Sequence, residues 1–178
     1  EVGPGGIGSS LPPGVFDMLR RMKDLALLLR KKRVLRGSLE LSMPEAVLEY
    51  DANGLVSGAH FSAHDLSHQI IEEFMLAANV AVATFLDDRG DEFVRRVHPD
   101  PSELKMKAFG EFAEAIGHPI KQVQSRKEIQ ALLARVHDLP EGRAVNYALL
   151  RSLKQAVYSP EVAGHYALAE EQYAHFTS

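Results

Sequence analysis

The chain reads as α+β: a helix-rich body with a small antiparallel sheet. Three features carry that reading. Several long segments repeat apolar residues every three or four positions, as amphipathic helices do. Residues 38–61 instead alternate apolar and polar side chains around an Asn-Gly pair, as hairpins do. Residues 74–86 are apolar on nearly every side apart from Asn79 and Thr84, which suits a helix inside a core. A length of 178 residues is enough for one domain to build that core.

Residues 1–14, rich in Gly, Pro and Ser, read as a flexible lead-in, with neither the basic nor the apolar region of a signal peptide. Val15 to Arg36 is the first helix. Val15, Leu19, Met22, Ala26 and Leu29 mark its apolar stripe, and Gly37 stops it. Ser38 to Tyr50 reads as two short strands broken by Pro44. Asp51 to Gly54 turns the hairpin, and Leu55 to Phe61 returns. The long central helix runs from about Ala63 to Asp87, before Gly90. Phe93 to Val97 reads as a strand. Ser102 caps a helix that continues to Ile116 and stops at Gly117. Ser125 caps the next helix, which ends near His137. Glu141 to Val157 reads as a further helix, and the tail as loop plus a strand around His165 to Ala169.

Composition narrows the function. There is no Cys, so disulfides, thiolate metal sites and cysteine nucleophiles are excluded. A Cys-free chain suits a reducing compartment, and a cytoplasmic setting is expected. No apolar run reaches the roughly 20 residues that span a bilayer, so no membrane contact is expected. The net charge of −4 gives no global pull toward phosphate, so any nucleic-acid contact must be local.

Few side chains suggest chemistry. At helical spacing His68, Glu72 and Asn79 share one stripe of the central helix, and Glu73 points about 100° away. Buried carboxylates and amides are costly unless bonded. Either the protein supplies their partners or the stripe faces a ligand; spacing alone favours a His68–Glu72 pair and an internally satisfied Glu73. The basic run Arg30, Lys31, Lys32, Arg33 and Arg36 could follow a phosphate backbone or be a solvated face, and the solvated face is favoured. His64, His68 and Glu72 could hold a metal, though a surface pair is the simpler reading. Asp87, Asp88, Asp91 and Glu92 read as a solvated turn.

Five stretches, in order, add a resemblance. HQIIEEFMLAANVAVATFL (68–86) resembles the H-x-L-I-E-E-x-M-x-x-A-N segment of the RNB catalytic domain of the ribonuclease II and ribonuclease R family. DLALLLRKKRVLRGSLEL, followed by Pro44-Glu45, resembles that domain's L-x-x-L-R-x-x-R-x-x-x-G-x-L-x-L stretch. VRRVHPDP resembles its R-x-H-x-x-P, here Arg96, His98 and Pro101. LLRSLKQAVYS and GHYALAEEQYAHFTS resemble its L-R-S-x-x-x-A-x-Y-S and G-H-F-G-L-A…Y-x-H-F-T-S. The likeness covers about Leu19 to Ser178.

The resemblance implies a 3′-to-5′ exoribonuclease that hydrolyses single-stranded RNA, releases nucleoside 5′-monophosphates and uses Mg²⁺. It implies that Glu72 contacts the 3′-terminal nucleotide and that Glu73 fixes the RNA channel by binding an arginine. It also implies that Asn79 bonds backbone near the active site, and that His175, Thr177 and Ser178 lie close to the RNA backbone. Arg96 and His98 fit either a structural role or the RNA path; the structural role is favoured. The chain departs from the family pattern in three ways. The family's D-x(5)-D-x-D-D metal cluster does not occur in these residues, and the segment that normally follows His-Phe-Thr-Ser is absent. Leu41 and Met43 stand where a base-stacking aromatic is expected. Residues 15–178 therefore read as part of an RNB catalytic domain, with the Mg²⁺ ligands outside this chain and no hydrolysis expected from it alone. Single-stranded RNA is the expected partner; no protein partner is indicated. The alternatives are a non-catalytic RNA-binding or scaffold protein with an RNB-like body, and a helical domain whose Arg30–Arg36 face docks a partner.

Overall fold

A computed structural model describes residues 12, 14–43, 46–61 and 65–177 of the chain. In chain order the elements are α1 (Val15–Arg36), β1 (Ala46–Tyr50), β2 (Val56–Phe61), α2 (Leu66–Asp88), β3 (Arg95–Val97), α3 (Glu103–Ala115), α4 (Arg126–Val136), α5 (Gly142–Ser152) and β4 (Val157–Ser159). Helices dominate, and the strands form two separate antiparallel pairs, β1–β2 and β3–β4. The α+β expectation holds, with two small sheets in place of one.

Local chemistry sets most boundaries. Gly37 adopts φ 106° and ends α1, donating its N–H to the carbonyl of Val34. The side chains of Ser102 and Ser125 cap α3 and α4, accepting from the backbone N–H of Lys105 and Glu128. Asp65 caps α2 through the N–H groups of Ser67 and His68. Hydrogen bonds from the Ser67 hydroxyl and from His68 hold its carboxyl well below the usual carboxylate range. The expected start of this helix near Ala63 lies outside the described residues, as do most of the lead-in, Pro44, Glu45 and His64.

Several expectations give way. Residues 38–43 are not a paired strand: Leu39 N–H donates to the carbonyl of Ala167, and Ser42 N–H to Asn146 Oδ1, so distant loops and helices satisfy this backbone. The Phe93–Val97 strand narrows to Arg95–Val97. Helix α5 ends at Ser152, because Val157 to Ser159, a β-branched and aromatic run, pairs with β3. The strand expected near His165 is a 3-10 turn over Tyr166–Leu168. Ala169 takes a left-handed φ of 54° there, and the reversal lets His165 N–H donate to Glu170 O at 2.7 Å.

The main core belongs to α3, α4 and α5. Met106, Phe109, Ile129, Leu132, Val136, Val145 and Leu149 are its sealed centre, with Leu39 and Tyr166 closing one side. The central helix is less enclosed than its composition suggests. Helix α2 packs mainly on α1, and Ile71 and Phe85 remain exposed. By length and composition alone α2 could cross a membrane, although Asn79 interrupts its longest apolar run. The same helix carries a buried, ion-paired Glu73 and a sealed Asn79.

Candidate nucleic-acid interface

Asn79 is fully buried, and every hydrogen-bonding site of its amide is used. Its Nδ2 donates to Tyr173 Oη at 3.1 Å and to the Thr177 carbonyl at 3.0 Å. Its Oδ1 accepts the backbone N–H of Phe176 at 2.9 Å and of Thr177 at 2.8 Å. One side chain of α2 thereby fastens the His175–Thr177 segment, nearly a hundred positions away. The peptide is held as a strand partner would hold it, while the side chains of His175, Phe176 and Thr177 stay exposed.

Glu73 belongs to a different network. Arg33 of α1, itself buried, meets its carboxylate through Nε at 3.1 Å and Nη2 at 2.5 Å. The remaining donors of Arg33 reach Ser38 Oγ at 2.9 Å and Glu40 Oε1 at 3.2 Å. Arg30 grips the same Glu40 through two bonds of 2.9 and 2.8 Å, and that hydrogen bonding raises the pKa of its guanidinium. The basic run of α1 is therefore split. Arg30 and Arg33 turn inward and Arg36 pairs with Glu170, while Lys31 and Lys32 remain on the surface.

Glu72 lies between these networks. Its Oε1 is 3.8 Å from Arg33 Nη2, and its side chain keeps 37% of its surface exposed. It shares the helix face of Leu76, Asn79 and Ala83, about two turns (roughly 10 Å along the axis) before Asn79. His68, expected on this stripe, is exposed and bonded to Asp65. Of the six residues singled out, Asn79, His175 and Thr177 come together, Glu72 lies up the same face, and Glu73 is turned into the α1 network. Ser178 lies outside the described residues. Among the described residues no group of three or more His, Asp or Glu side chains could hold a metal, so Mg²⁺ does not fit here.

Sequence reasoning missed two participants, Tyr173 and Tyr158. Tyr173 donates nothing to periodicity, yet its hydroxyl meets Asn79. Tyr158 bonds His175, and Arg96 lies over the Tyr158 ring. Arg33 was visible only as one member of a basic run. None of these pairings leaves a local signal, because the partners are far apart in the chain.

The sequence matches the RNB domain family over residues 8–178. The chain belongs to the RNB family. Its relatives include ribonuclease R of Aquifex aeolicus, 35% identical over 93% of this chain and 24% of that protein. Ribonuclease R of Escherichia coli is 32% identical over 90% of this chain and 20% of that protein. The chain thus spans about a quarter or less of these curated relatives. Among solved structures it is similar to Mycoplasma genitalium RNase R in complex with ribose-methylated single-stranded RNA. The TM-score is 0.86 at 27% identity, covering 97% of this chain and 28% of that one. Yeast Ssd1, a pseudonuclease, shares the fold at a TM-score of 0.53 and 23% identity over 63% of this chain and 15% of that one.

Proposed function

We propose that the protein is a 3′-to-5′ exoribonuclease that hydrolyses single-stranded RNA and releases nucleoside 5′-monophosphates. The observation that carries this reading is the Asn79 clamp. It holds the exposed His175–Thr177 segment beside the α2 face on which Glu72 stands. A 3′-terminal ribose offers two hydroxyl donors, and an ionised carboxylate is an acceptor only. Glu72, half exposed and steered by Arg33, is suited to receive them. The hydroxyls of Thr177 and Ser178 and the imidazole of His175 suit phosphate oxygens, contacts that position a strand without reading its sequence. Glu73 contributes by holding Arg33 in place. Relatives that carry the name ribonuclease R, and a structural neighbour solved with single-stranded RNA, support the reading. Mg²⁺ belongs to it as a cofactor held by residues outside this chain. A cytoplasmic setting is part of the same proposal.

The test is Glu72→Ala in the protein that contains this chain. Loss of hydrogen bonds to a charged group predicts at least about a tenfold slower digestion of single-stranded RNA, or a longer limit product. Unchanged rates and products would remove Glu72 from the site. The 178-residue chain alone should not cleave RNA; magnesium-dependent hydrolysis by it would overturn the placement of the metal ligands elsewhere. The second reading, a non-catalytic body of the same fold, draws on the likeness to a pseudonuclease. RNA binding without turnover by the intact protein would favour it.

A further inference from the structure

The pairing of β3 with β4 sets Arg96 directly opposite Tyr158. The Arg96 guanidinium lies over the Tyr158 ring, 4.6 Å from its centre. The backbone N–H of Arg96 donates to Tyr173 O at 2.9 Å, which draws the chain leading to His175 alongside β3. Three residues later, at Phe176, Asn79 takes up that chain. His175 is therefore bracketed by backbone hydrogen bonds on both sides, at Tyr173 and at Phe176.

Its side chain is bracketed as well. Tyr158 Oη lies 2.9 Å from His175 Nδ1. The two rings are nearly parallel, at 11°, with centres 6.2 Å apart. That separation is long for face-to-face contact. It suits rings lying nearly in one plane, joined edge to edge by the hydrogen bond. A phenol O–H is the better donor of the two, and a neutral imidazole nitrogen the better acceptor. The bond therefore places the Tyr158 proton toward Nδ1 and leaves the ring proton of His175 on Nε2. Nε2–H is then a donor on an exposed ring, and Arg96, which lies over the Tyr158 ring that His175 is bonded to, makes no carboxylate ion pair among the described residues. Its neighbour in β3, Arg95, has such a partner in Asp87.

We propose that Tyr158 is a positioning residue that fixes the ring and tautomer of His175, so that His175 Nε2–H and the Arg96 guanidinium together bind the phosphodiester backbone of the RNA. The inference rests on the exoribonuclease reading and adds to it two residues, Tyr158 and Arg96. Phosphate contacts of this kind are charge-assisted on the arginine side and directional on the imidazole side. Arg96 supplies attraction at range, and the tethered imidazole supplies register.

The experiment uses the full chain, a fluorescein-labelled oligouridylate, and long-range ¹H–¹⁵N spectra of the imidazole nitrogens at alkaline pH. His175 is expected as the Nε2–H tautomer in the unaltered chain, and as a mixture in Tyr158→Phe. The same variant should bind the oligonucleotide about three- to tenfold more weakly, the scale of one lost hydrogen bond, with an unchanged melting temperature. Arg96→Gln should reduce the slope of log affinity against log salt by about 0.7, while Arg96→Lys retains it. A His175 protonated on Nδ1, a tautomer indifferent to Tyr158→Phe, or equal affinity in that variant would overturn the proposal. If the unaltered chain fails to bind single strands even at low salt, the RNA reading falls and this inference with it. If it binds and the variants match it, only this inference falls.

Discussion

Glu73 and Asn79 stand six positions apart on one helix, both buried, and they meet opposite needs. Asn79 is neutral, and its four bonds close on themselves, so burial costs it little. Glu73 is charged, and only Arg33 makes its burial tolerable. Removing one partner of a buried pair leaves the other uncompensated. Glu73→Ala should lower the unfolding free energy by about 3 kcal/mol, the low end of the usual range, because Arg33 keeps Ser38 and Glu40. Urea denaturation measures it; a loss under about 1 kcal/mol would mean the pair is not structural. His165 makes a pH prediction. Burial is the main cause that lowers its pKa to about 4, with nearby His98, itself lowered by burial, a smaller one. Its folded pKa lies below the unfolded value near 6.5, so the unfolded state binds the proton first as pH falls. The stability from this group is complete above about pH 6.5 and is lost on the way down to about 4. With allowance for partial exposure, about 1–2 kcal/mol should disappear between pH 7 and 5. His165 also caps the turn that follows it, its Nδ1 accepting the N–H of Leu168, and asparagine can do the same. His165→Asn should flatten this part of the pH profile; an unflattened curve would shift the cause to other groups. The family resemblance implied an arginine for Glu73 and backbone for Asn79, but not that these are Arg33 and the Phe176–Thr177 peptide. Spacing showed that the two residues needed partners, and the partners come from 40 and nearly 100 positions away.

Helix caps were the most legible feature at the next scale, because their causes are local. Ser102, Ser125 and Gly37 act as their neighbours in the chain imply. Where an element depends on a remote partner, the sequence misled. Val157 looks like the last turn of a helix until β3 is there to pair with it, and residues 38–43 look like a strand although no strand lies beside them. Gly142 shows the same limit. Glycine at the start of α5 invites replacement, since alanine is worth about 1 kcal/mol more in a helix. Here an added Cβ would come within 2.2 Å of the carbonyl oxygen of Val136. Backbone would have to move, so Gly142→Ala should destabilise by about 1–3 kcal/mol and lower the melting temperature. A rise in melting temperature would show that the α4–α5 connection yields freely.

The whole molecule is two bodies of unequal finish. The α3–α4–α5 bundle has a sealed apolar centre, whereas α1, α2 and the β1–β2 hairpin leave Leu25, Leu28, Leu35, Tyr50, Val56, Phe61 and Phe85 exposed. Family motifs along the chain made the RNB assignment legible at this scale, and a match over residues 8–178 bears it out. The candidate site was legible only as a list of residues, since its geometry depends on where the final segment docks. That segment has one more consequence. Ala167 accepts from Leu39, Tyr173 accepts from Arg96, and Phe176 and Thr177 donate to Asn79, so residues 165–177 stitch together stretches made much earlier. During synthesis the α1–α2 pair must therefore stay undocked from the rest until the last of these residues leaves the ribosome, and a nascent chain stalled before Tyr173 is the form that chaperones should hold.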